Sequence, residues 1–121
     1  MAQAKTICMV VLFLCLVAHF NVSLCETYTV GDEKGWSYDS SPWPLNKNFK
    51  AGDVLVFNYK PVEHNVVVVN EKGYDDCTVP PGSPTFITGK DSITLAKNYN
   101  YFISSIGKDC QYDMKMMVNA D

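Results

Sequence analysis

The chain has 121 residues, 13 of them acidic and 10 basic, for a formal charge of −3, and 47% are hydrophobic, enough apolar material for one packed core at this length. Every basic residue is a lysine. A mildly acidic chain without arginine is a poor match to nucleic acid, so that class of partner is set aside.

The N-terminus reads as a processing segment. Lys5 gives a positive start, Ile7 to Ala18 is an unbroken apolar run, and Ser23-Leu24-Cys25 supplies small residues at a cleavage site. That order predicts a secretory signal peptide over residues 1–25, cut after Cys25, and a domain over residues 26–121. The apolar run is short for a membrane span. The end of the chain, Met116 to Asp121, has neither the spacer nor the hydrophobic tail of a lipid anchor. Of five cysteines, Cys8, Cys15 and Cys25 fall in the leader, leaving Cys77 and Cys110. Two cysteines in an oxidising compartment most simply form one disulfide, here closing a loop worth roughly 3–4 kcal/mol on the chain-entropy model.

Downstream, strand signals dominate. Glu26–Val30 is β-rich and ends at Gly31-Asp32. Gly35 to Asn48 carries Trp36, Pro42, Trp43 and Pro44, and is expected to hold a short helix under a long loop, with the tryptophans at core and rim. Val54–Tyr59 is an apolar, β-branched and aromatic run after the turn Ala51-Gly52-Asp53. Val66–Val69 is too β-branched for a comfortable helix. A helical turn is expected after Glu71, ahead of the Pro80-Pro81-Gly82 breaker. Thr85–Thr88 and Ser92–Leu95 flank Gly89-Lys90-Asp91 and read as a hairpin. Tyr99–Ile103 and Met114–Val118 complete about seven short strands, the pattern of an all-β sandwich or barrel.

The residues taken in order carry a resemblance. They are Val30-Gly31-Asp32 with Gly35-Trp36, then Phe49 to Tyr59, His64-Asn65-Val66, Gly73-Tyr74 with Cys77, Gly89 and Asp91, Tyr101-Phe102-Ile103, and Cys110 with Met114-Lys115. Together they resemble the phytocyanins, the plant blue-copper proteins, and most closely their plantacyanin type. The resemblance implies a cupredoxin-like Greek-key sandwich, a Cys77–Cys110 disulfide beside the metal site, and secretion to the apoplast. The family's activity is one-electron transfer through copper.

A type-1 copper site takes two imidazoles, one thiolate and a weak axial ligand that is often Met. By the resemblance, His64 stands at the first imidazole position and Met114 at the axial one. With Cys110 at the disulfide position, the same loop places Ser104 where the family has its thiolate and Asp109 where it has its second imidazole. After the leader, His64 is the one histidine left. The expectation is therefore a protein without cofactor, in which copper would meet only His64, Asp109 and Met114, a colourless and poorly selective set. It would be a monomeric extracellular binding or structural module, not an enzyme, with cell-wall carbohydrate or an extracellular protein as partner. The alternative is the family's copper electron transfer. A remote alternative is a hydrolase, because Ser104, His64 and Asp109 are the residue types of a catalytic triad.

Overall fold

The structure, a computed structural model, describes residues 24–121. The leader expected over residues 1–25 falls outside them except for Leu24 and Cys25, and Cys25 is disulfide-bonded. Seven strands are present: β1 (Thr27–Thr29), β2 (Val54–Asn58), β3 (Val66–Val69), β4 (Thr85–Phe86), β5 (Lys90–Thr94), β6 (Asn98–Ile103) and β7 (Lys115–Ala120). They form two sheets, one in the order β1-β2-β5 and one in the order β4-β3-β6-β7. β1 runs parallel to β2, and all other neighbours are antiparallel. This is the expected two-sheet Greek-key sandwich. No helix among the described residues is long and apolar enough to cross a membrane.

Side-chain alternation explains how the sheets close. Along β7, Met116, Val118 and Ala120 are buried while Met117 and Asn119 are exposed, the period of two that puts one face of a strand inward. Between the sheets, Phe57 meets Trp36 edge-on and Phe102 at a tilt, with ring centroids 5.1 Å apart in both pairs. β3 departs from strict alternation because both its faces are covered. Val66 and Val68 pack into the main core, while Val67 joins Val69, Ile103 and Cys110 in a second cluster on the other side.

Beside that second cluster lies α1 (Glu71–Asp76). Asn70 caps it, its side-chain oxygen accepting from Gly73 N–H at 2.8 Å, and satisfies one donor that a helix start otherwise leaves open. Cys77 ends α1 in the left-handed region at φ 57°. The side chain of Cys77 forms the disulfide with Cys110, 33 residues on. Trp36 is buried and Trp43 half-buried, the core and rim positions expected of them.

Two expectations are corrected. Residues 35–48 contain no helix. Their backbone makes successive tight turns, Trp43 to Ser40, Leu45 to Pro42 and Lys47 to Pro44, and a helix cannot propagate because Pro42 and Pro44 have no N–H to donate. A single 3-10 turn, Asp32–Lys34, comes before this stretch.

The second correction concerns the hairpin. β4 and β5 lie in different sheets, β4 pairing with β3 and β5 with β2. The segment between them crosses from one sheet to the other. Gly89, at φ 87°, lies so close to Pro61 that a Cβ would stand 2.8 Å from Pro61 Cδ. Buried Asp91 accepts hydrogen bonds from Thr88 and Tyr59. Phe86 and Ile93 both pack on the main core, so their alternation is genuine although the strands are not partners.

The chain end is clipped to the loop ahead of β2. Asp121 N–H donates to Phe49 O at 3.0 Å, and its own oxygen accepts from Ala51 N–H at 2.8 Å.

Candidate functional site

The residues singled out from the sequence meet at one end of the sandwich. His64 arrives on a turn in which Val62 adopts φ 75° and His64 N–H closes back onto Lys60 O at 3.2 Å. Ser104 follows β6, and Met114 precedes β7. These two are held in register by Ser104 N–H to Met114 O at 3.0 Å, while Met114 N–H to Asp109 O, also 3.0 Å, closes the loop between them. Ser104 and Met114 are fully buried, and Asp109 is 6% exposed. The disulfide through Cys110 anchors the same loop from the other side.

Asp109 is the centre of the arrangement. Its Oδ2 accepts from Ser104 Oγ at 2.7 Å and lies 2.7 Å from His64 Nδ1. Its Oδ1 accepts from Tyr38 OH at 3.2 Å. A carboxylate this far from water needs such donors to offset its lost hydration. An ionised carboxylate can only accept, so the proton of the His64 contact belongs to Nδ1, and that nitrogen then has no lone pair to offer a metal. The Asp109 charge also pushes the Tyr38 phenol above its ordinary pKa, with partial desolvation adding to it.

This order of bonds differs from that of a hydrolytic triad. There the imidazole stands between hydroxyl and carboxylate and takes the hydroxyl proton. Here Ser104 donates to the carboxylate, and both Ser104 and His64 converge on one oxygen.

Further residues belong to the site that the sequence did not single out. Asn65 stitches the head of β3 to the loop after β6, its Oδ1 accepting from Ser105 N–H at 2.8 Å and its Nδ2 donating to Ser105 Oγ at 2.9 Å. Its backbone N–H points to Ser104 Oγ at 3.4 Å. A polar residue directly after His64 at a strand head was the available signal. Tyr38 closes the site from the proline-rich loop, its ring 5.8 Å from that of His64. Nothing in its local sequence marks it. Among the described residues, no three His, Cys, Asp or Glu side chains are grouped as a metal cluster.

Comparison with known proteins agrees with this architecture. The plastocyanin-like domain family matches residues 28–114. Over 103 residues the chain is 50% identical to the chemocyanin of Lilium longiflorum, covering 84% of this chain and 82% of that protein. It is 49% identical over 94 residues to a basic blue protein of Arabidopsis thaliana, covering 78% and 73%. Among solved structures it is similar to cucumber basic protein, a blue copper protein, with a TM-score of 0.77 and 45% identity, covering 78% of this chain and 99% of that one. The family match over residues 28–114, the relatives at 49% and 50% identity and the likeness to cucumber basic protein place the chain in the plastocyanin-like phytocyanin family.

Proposed function

We propose that this protein is a secreted, monomeric phytocyanin that works without type-1 copper, as an extracellular binding or structural module. The leader-like residues 1–25 motivate secretion. The observation that carries the reading is the Asp109 carboxylate, which takes up Ser104, His64 and Tyr38 together. In a type-1 centre the metal gathers its ligands around itself. Here a side chain of the protein gathers the same loops, and Ser104 Oγ, His64 Nδ1 and the Tyr38 hydroxyl are already paired with it.

The donor set does not fit the family's metal. A type-1 centre requires a thiolate and two imidazoles. The positions that the resemblance assigns to them hold a hydroxyl at Ser104, a carboxylate at Asp109 and one imidazole at His64, while Cys110 is committed to its disulfide. Met114 fills the core as an apolar side chain. The competing reading is copper electron transfer, and it draws on relatives named as blue proteins.

A titration separates the two. Copper(II) added to the purified protein is expected to leave it colourless. An intense visible thiolate-to-copper band would overturn the reading. The paired substitution Ser104→Cys with Asp109→His restores the missing donor types and is expected to turn the protein blue with copper. A folded double variant that stays colourless would show that Ser104 and Asp109 are not the former ligand positions.

A further inference from the structure

Next to Asp109, two loops that are remote in sequence dock on one another. Asp39 N–H reaches Tyr112 O at 3.4 Å, Ser40 N–H donates to Asp113 O at 3.0 Å, and Ser41 Oγ donates to Asp113 Oδ2 at 2.6 Å. Between them lies a shallow recess lined by Tyr38, Asp39, Gln111, Tyr112 and Asp113. Tyr38 and Tyr112 form a corner, their ring planes at 77° and centroids 5.7 Å apart. Both rings stay in contact with water, at 44% and 59% exposure. Two large rings held open to solvent in a recess give up the stabilisation that burying them would bring.

The charge around the corner selects an occupant. Asp39 and Asp113 line the recess, and no lysine does. Among the described residues, the ion pairs are His64–Asp109 and Lys72–Asp76, so neither lining carboxylate has a cationic partner there. Glu63 is near enough to act on the Tyr38 phenol as well. A neutral sugar could stack on a tyrosine ring and donate hydroxyl hydrogen bonds to a carboxylate, but it would leave the negative charge of Asp39 and Asp113 uncompensated. A cation uses both, because the face of an aromatic ring carries negative charge density.

We infer that the Tyr38–Tyr112 corner receives a lysine or arginine side chain of a basic extracellular protein, with the rings taking the cation and Asp39 and Asp113 accepting its N–H bonds. This rests on the reading of this end of the molecule as a binding surface. It names the chemistry of the partner.

The probe is hexalysine, titrated into the full chain in the presence of a chelator and followed by calorimetry and by the tyrosine ring resonances. Saturable binding that shifts Tyr38 and Tyr112 is expected. Tyr112→Phe keeps the aromatic face and should bind like the parent, whereas Tyr112→Leu should weaken binding about two- to fivefold, the range of an exposed cation–π contact. Asp39→Asn should weaken binding further and flatten its dependence on salt. Equal affinity for the Leu and Phe variants would overturn the inference, since attraction by net charge alone would then suffice. A cello-oligosaccharide that saturates the same tyrosines where hexalysine does not would overturn it in favour of carbohydrate. A sample that turns blue with copper in a parallel titration would instead count against the copper-free reading, so the two failures are told apart.

Discussion

Asp109 shows how one residue changes what a site can do. A buried carboxylate with three donors is stable where it stands, but each donor now depends on it. Asp109→Ala would leave the fully buried Ser104 hydroxyl and the His64 ring without their acceptor, and should cost about 2–3 kcal/mol in chemical denaturation. Ser104→Ala should cost only about 1 kcal/mol, because the carboxylate keeps His64 and Tyr38. Equal losses in the two variants would mean that Asp109 does not tie the loops together. Ser104 and Asp109 could be located in the sequence only through the resemblance, which counts their positions from Cys110 and Met114. Tyr38 could not. It is 71 residues from Asp109, and a tyrosine in a proline-rich loop announces no partner at that distance.

At the scale of elements, the sequence was most legible where a segment's chemistry is decided locally. The Val66–Val69 run is a strand over the residues expected, and α1 begins where Asn70 can cap it. The 3-10 turn at Cys110–Tyr112 went unread, since its residues carry no helical pattern and the disulfide helps to hold it. The segment from Thr85 to Leu95 is instructive in another way. Glycine between two alternating runs signals a reversal, but alternation says only that one face is buried, not against which strand. The choice was made by Tyr59 and Pro61, which hold Gly89 and Asp91 against the end of β2. The disulfide is the strongest single tie between elements, joining α1 to the site loop. Replacing Cys77 and Cys110 together by serine should lower stability by about 3–4 kcal/mol, read as a lower denaturation midpoint with a steeper slope, because the unfolded chain loses its cross-link and expands. An unchanged midpoint would show that α1 and the core already restrain that loop.

For the whole molecule, what matters is how the two sheets are fastened, and sheet order lay beyond the sequence because each pairing joins distant segments. One fastening is Tyr59, which follows β2. Its hydroxyl donates its one proton to the Asp91 carboxylate and lies 3.1 Å from Phe86 O in the other sheet. Burial, and then the bond to Asp91, push its pKa up to about 12 from an ordinary 10.0. The folded protein thus keeps this proton when the unfolded chain has lost it. The stabilising contribution is complete below about pH 10 and falls away as pH rises toward about 12. Tyr59→Phe should flatten that alkaline decline in stability, and a decline of unchanged steepness would assign it to other groups. The clip at the other end of the sandwich has a different kind of consequence. Chain ends ordinarily fray, and their amides exchange hydrogen with water almost freely. Because Asp121 N–H is bonded to Phe49 O and Ala51 N–H to the oxygen of Asp121, deuterium should enter both amides more slowly than it enters the open loop at Gly107. Asp121 would then report on the opening of the sandwich through its ties to Phe49 and Ala51.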